Sequence, residues 1–196
     1  MYDTNNIIST RDDLVKFIGS NNKFNHINDH SLRVSEMAVN LATAVNLSSN
    51  DINQILLGSY LHDIGKIFLG IEILEGSLPL TDKQREVVIN HTILGHGYLD
   101  NVTGLDKAKE IILLHHERVD GTGYPHGLLG SEIPIYVKIV SICDSYDAMT
   151  SYRAYKPQKL THEEAVQELV DHSGTQFDAE LVEVFINQFN ISYSNN

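Results

Sequence analysis

Segment after segment of this chain spaces its apolar residues three and four apart, and no stretch of useful length alternates them. The first pattern lays one stripe along a helix, whereas a half-buried strand needs alternation. Residues 24–46 carry Ile27, Val34, Met37, Ala38, Leu41 and Val45 on one stripe, and residues 50–65 carry Ile52, Ile55, Leu56, Ser59, Tyr60 and Ile64. Thr10 can cap a short first helix with Leu14, Phe17 and Ile18 on one face. Thr81 opens a helix to about Leu99, and residues 105–117 form the next, ending in His115-His116-Glu117. A glycine-rich loop, Asp120 to Gly127, breaks the pattern. Pro134 suits the first turn of a helix running to about Ser151. Thr161 and Glu164 have capping-box spacing for a helix to about His172, and a last helix runs from Asp178 to about Phe189. The expected fold is all-α: a single helical bundle domain over residues 24–196, preceded by an N-terminal helical extension over residues 1–23 that is too short for a sensory domain.

A chain of 196 residues can bury a core without staples. Its 14 basic against 26 acidic residues, net −12, argue against a duplex nucleic-acid binder, which needs a basic face to release counterions. The same balance argues against docking to an anionic membrane. An anionic substrate remains open if metal ions supply positive charge locally. The one cysteine, Cys143, permits no intramolecular disulfide, fits a reducing compartment, and reads as a small buried filler. The N-terminus lacks the basic start and apolar core of a signal peptide, and no apolar run approaches the ~18 residues that span a bilayer. A cytoplasmic location is expected.

The ten histidines are distributed in a telling way. His62-Asp63, His91, His115-His116 and Asp144 fall on four predicted helices, with His26 and His30 at i,i+4 on a fifth. Imidazole and carboxylate converging from several elements are what a metal site needs. Asp63 can bridge, because its two oxygens can each take one ion. If the helix continues past His62, Lys66 shares its face and places an ammonium beside the centre, suited to a leaving oxygen. Asp147, at i,i+3 from Asp144, reads as a support rather than a ligand. Arg153, Lys156 and Lys159 make the densest basic patch, and a guanidinium fork suits phosphate. His96, His126, His162 and His172 read as surface or local polar contacts. Each feature has a plain alternative: His115-His116 as a polar helix end, Tyr124 as a core tyrosine, Arg153 and Lys156 as a solvated helix exit.

Taken in order, these residues resemble an HD-GYP domain, the phosphodiesterase branch of the HD superfamily of metal-dependent phosphohydrolases. The resemblance is carried by His62-Asp63-Ile64-Gly65-Lys66-Ile67, by His115-His116-Glu117-Arg118-Val119-Asp120-Gly121-Thr122-Gly123-Tyr124-Pro125, and by Asp144 through Arg153. Gly174-Thr175-Gln176-Phe177-Asp178 completes it, so that it spans roughly residues 24–190. It implies a bundle with a metal site in its core and hydrolysis of cyclic di-GMP to pGpG, with further cleavage to GMP left open, by metal-bridged hydroxide attack on a phosphodiester. It implies metal ligands at His30, His62, Asp63, His91, His115, His116 and Asp144, with Asp63 as the bridge and Lys66 assisting the leaving group. Tyr124 falls where a guanine packs, and Arg153 and Lys156 fall where substrate phosphates are gripped. The implied cofactor is two divalent ions, iron or manganese, with zinc also compatible. Where relatives with a third ion carry glutamate, this chain has His26, which leaves the third ion open. Thr92, Ala154 and Phe68-Leu69-Gly70 depart from the family pattern and bear on substrate fit. Two other readings stand beside it: a phosphohydrolase on another cyclic dinucleotide or nucleotide, and a non-catalytic dinucleotide-binding or protein-interaction module. A protein partner or homo-oligomer is undetermined.

Overall fold

A computed structural model describes residues 25–69, 81–151 and 159–193, without the side chains of residues 25–28 and 189–193. Among the described residues the protein has eight α-helices: α1 (Asn25–Ala44), α2 (Ser49–Leu61), α3 (Asp82–Ile89), α4 (His91–Tyr98), α5 (Asp106–Leu114), α6 (Ile135–Thr150), α7 (His162–Asp171) and α8 (Ala179–Tyr193). No strand forms among the described residues; two isolated bridges, Asp120 with Leu129 and Ser173 with Phe177, pin loops. The expected all-α bundle is what forms. The short helix expected near Thr10, with Leu14, Phe17 and Ile18, lies outside the described residues.

Local chemistry sets several ends. α1 stops in a Schellman turn: Asn46 takes a φ of 57°, its N–H donates to Thr43 O at 3.0 Å and that of Leu47 to Ala42 O at 3.1 Å. These bonds satisfy carbonyls the helix leaves open, and asparagine tolerates the left-handed region. Thr161 and Glu164 form the expected capping box of α7, and Thr81 with Gln84 forms one at α3.

Three expected helices end early, the one read over residues 105–117 stopping at Leu114 so that His115-His116 follow it. The helix read over residues 50–65 stops at Leu61, and Ile64–Phe68 continue as a 3₁₀ helix. The helix read from Thr81 to Leu99 is two helices, broken at Asn90. One contact joins the last two segments: Gly65 lies so close to α4 that a Cβ there would sit 1.8 Å from His91 O. Only glycine permits that approach.

The larger core joins α1, α2 and α5–α8 through Val34, Ala38, Leu41, Ile55, Ile111, Val140, Ile142 and Phe185. A smaller one gathers Leu61, Ile64, Leu99, Leu105, Ala108 and Ile112 between α2, the 3₁₀ helix, α4 and α5. Burying each large apolar side chain stabilises the fold by about 1.5–3 kcal/mol. The two cores clamp α2 from both sides, so its C-terminal end enters the middle of the bundle as a rigid arm.

Candidate metal centre

That rigid end carries His62 and Asp63. His62 caps α2 with helical angles, whereas Asp63 has φ −96° and ψ 8° and turns out of the helix. The turn brings together two adjacent residues that a continuous helix would hold ~100° apart. His30 comes from α1, His91 opens α4, His115 and His116 follow α5, and Asp144 lies on α6. His30, His62 and Asp144 have potential ligand atoms within 4.8 Å of one another, as do His91, His115 and His116. A third group, His62, Asp63 and His115, joins the two trios.

Asp63 stands at the junction. Its Oδ2 is 3.4 Å from His62 Nε2, and its Oδ1 is 3.4 Å from His91 Nε2 and 4.0 Å from His115 Nε2. Each oxygen therefore addresses a different trio. Asp144 Oδ1 lies 3.1 Å from His30 Nε2 and 3.7 Å from His62 Nε2.

Four histidines share one orientation. His62 Nδ1 meets Ser59 O at 2.6 Å, His91 Nδ1 meets Val88 O at 2.6 Å, and His115 Nδ1 meets Ile112 O at 3.0 Å. His30 Nδ1 meets Asp147 Oδ2 at 2.6 Å. Carbonyl and carboxylate oxygens only accept, so each Nδ1 carries a proton and each Nε2 is turned to the centre. There His62 Nε2 and Asp63 Oδ1 are buried without a hydrogen-bond partner, and the Nε2 atoms of His91 and His115 face each other at 3.4 Å. Buried orphan acceptors are costly unless something positive lies between them. The nitrogen and oxygen donors, with no thiolate, fit divalent first-row cations.

Protonation agrees for most members. Burial pushes His116 down to about 4, and burial with neighbouring His116, His62 and His91 holds His115 well below the usual range. Both are thus neutral, as ligands must be. Burial opposes charge on Asp63, but Lys66 and His62 outweigh it and keep the carboxylate well below its usual range. Asp144 behaves alike through His30 and His62. His30 differs: burial disfavours its cation, yet hydrogen bonds to Asp144 and Asp147 raise it to about 9. Without metal it holds a proton that a cation would displace.

Lys66 reaches the site, though not by a continued α-helix. The tighter 3₁₀ turn sets it at i,i+3 from Asp63, with Nζ 2.5 Å from Oδ2. Tyr124 lies beside His116: its ring centroid is 4.8 Å from that of His116, and its N–H donates to His116 O at 3.2 Å. Gly123 makes this possible, since a Cβ there would lie 2.4 Å from Arg118 N. Arg153 and Lys156 lie outside the described residues, as does the side chain of His26, whose backbone is in the first turn of α1.

Some supports have no role in the sequence reading. Glu117, 3% exposed, accepts from the N–H groups of His126 at 2.7 Å, Gly127 at 3.2 Å and Leu128 at 2.9 Å, and so shapes the glycine-rich loop. Arg33 grips Asp147; its only sequence signal is its i,i+3 relation to His30. Cys143 is buried and free as expected, and the local contacts expected of His96 and His172 are to Asp100 and Glu168.

A helical bundle whose helix ends converge imidazoles and carboxylates on two adjoining trios defines a protein built around a His/Asp cluster able to hold metal ions. The chain belongs to the HD domain family, whose pattern matches residues 18–181, and its motifs put it in the HD-GYP branch. A cyclic di-GMP phosphodiesterase of Thermotoga maritima is 40% identical over 159 residues, covering 80% of this chain and 43% of that protein. The 3′3′-cGAMP-specific phosphodiesterase 2 of Vibrio cholerae serotype O1 is 33% identical over 159 residues, 80% of this chain and 30% of its own length. The chain therefore spans less than half the length of either relative. In three dimensions Bd1817, an HDG"Y"P protein of Bdellovibrio bacteriovorus, superposes with a TM-score of 0.68 at 21% identity, over 91% of this chain and 60% of that one, a likeness of fold.

Proposed function

We propose that the chain is a metal-dependent phosphodiesterase that opens cyclic di-GMP to linear pGpG. The observation that carries this reading is the position of Asp63, one oxygen toward each trio, with the Lys66 ammonium beside it. His30, His62 and Asp144 would hold one ion, His91, His115 and His116 a second, and Asp63 would bridge them. Divalent cations there would supply Lewis acidity toward phosphoryl oxygens and make water nucleophilic at neutral pH. Iron and manganese suit the donors, as does zinc.

The chain's own groups do the rest. Hydrolysis forms one bond from water oxygen to phosphorus and breaks the bond from phosphorus to O3′, and a proton must end on O3′. Lys66, partly open to solvent, can donate that proton. Tyr124 offers a ring face at the rim for a guanine. Arg153 and Lys156 are assigned to the second phosphate, where holding it orients the first. The catalytic unit is assigned to residues 24–196, with residues 1–23 as an extension, in a reducing cytoplasm. No helix among the described residues is long and apolar enough to cross a membrane.

A second reading, hydrolysis of another cyclic dinucleotide, is favoured by the cGAMP-specific name of one relative. Incubation of purified protein and Mn²⁺ with cyclic di-GMP and 3′3′-cGAMP in parallel, followed by chromatography, tests both. Faster loss of cyclic di-GMP to pGpG is expected. Preference for the mixed dinucleotide would select the second reading, and no turnover of either would reject catalysis in favour of a binding module.

A further inference from the structure

Outside the ligand atoms, a polar network of side chains joins α1 to α6 and to Ser151 just after it. Arg33 Nε donates to Asp147 Oδ1 at 2.6 Å, and its Nη2 donates to Asp147 Oδ2 at 2.9 Å and to Ser151 Oγ at 3.0 Å. Asp147 Oδ2 in turn accepts from His30 Nδ1 at 2.6 Å. Two helical spacings cross here. Arg33 follows His30 by three residues on α1, and Asp147 follows Asp144 by three on α6, so each pair shares a face.

We propose that Arg33 is a positioning residue for one half of the metal centre, the trio His30, His62 and Asp144. This rests on the two-ion reading above. A fork that engages both oxygens fixes the plane of a carboxylate, and a single hydrogen bond does not. The Asp147 side chain is only 4% exposed, so with Arg33 removed its Oδ1 would be a buried charge without its partner. It would turn to recover one, and His30 would lose the acceptor that aims its Nε2 at Asp144 and His62. The other trio has no such tie: His91 and His115 take their orientation from backbone carbonyls of Val88 and Ile112. The loss is therefore confined to one ion. A salt bridge that merely fastened α1 to α6 would touch the same trio, since His30 and Asp144 ride on those helices; lysine separates the two, because it keeps the charge and loses the fork.

The test is Mn²⁺ titration of metal-stripped wild type, Arg33→Ala, Arg33→Lys and Ser151→Ala, with melting curves alongside. Arg33 is 46% exposed at its side chain, so the chain should fold without it. Wild type should take two Mn²⁺ per chain. Arg33→Ala should keep one near wild-type affinity and bind the other about 10–100-fold more weakly, the usual effect of losing an outer support. Arg33→Lys, which has charge without the fork, should recover only part of this, and Ser151→Ala should lose less than either. Unchanged affinity at both sites, equal loss at both, or full rescue by lysine would overturn the proposal. Fewer than two Mn²⁺ in wild type would instead reject the two-ion reading on which it rests.

Discussion

Asp63 meets two demands at once: it must be buried deeply enough to lie between two trios, and it must stay ionised there. Lys66 and His62 keep it ionised. Asp63→Ala should therefore lose bound metal together with turnover, checked by metal content of the purified variant. Lys66→Ala should keep its metal and lower kcat by about 10²–10⁴-fold, the usual worth of a general acid; parallel loss of metal would contradict that role. His30 makes a prediction about pH. In metal-stripped protein its folded value is raised from 6.5 to about 9, so the folded state binds an extra proton between those values. Its contribution to stability is complete below 6.5 and fades as pH rises through 9. The melting temperature of stripped protein should fall across that window, and His30→Gln should flatten the fall. The cluster residues His62, Asp63, His115, His116 and Asp144 were legible because they stand in motifs that come in order, whereas His30 and His91 were reached only through the resemblance those motifs carry. Arg33 was not, because its partner Asp147 lies 114 residues away and no local pattern announces the pair.

Helix starts were readable where they are local. Thr161 with Glu164 needs nothing beyond its own turn, and Thr161→Ala should cost about 1 kcal/mol in denaturant melts while sparing the site. Helix ends inside the bundle were not readable. Near the stop at Leu61 and the break at Asn90, Gly65 meets the His91 carbonyl, a contact between segments that neither segment's periodicity contains. Lys66 thus stands beside the cluster, at Asp63, but on a 3₁₀ turn and not on the continuous helix that was expected. Gly65→Ala should force the 3₁₀ helix off α4, destabilise the fold by about 1–3 kcal/mol as overpacking does, and weaken metal binding at His91. A variant with wild-type melting and wild-type metal affinity would show that this approach is not required.

At the scale of the whole molecule, the chain carries a net charge of −12, and Lys66 sets an ammonium beside the buried carboxylate of the cluster. The cluster draws on α1, the end of α2, α4, the exit of α5 and α6, so ions bound there tie most of the bundle together. Chelation should lower the melting temperature by roughly 5–10 °C if free metal stood near a hundredfold above its Kd. The central claim is a dinuclear centre bridged by Asp63, and counting metal tests it most directly. Protein purified without oxygen, loaded with Mn²⁺, freed of excess and analysed for metal per chain should contain two ions, and Asp63→Ala fewer than two. One ion or none in wild type, or two in Asp63→Ala, would contradict the bridge and the mechanism built on it.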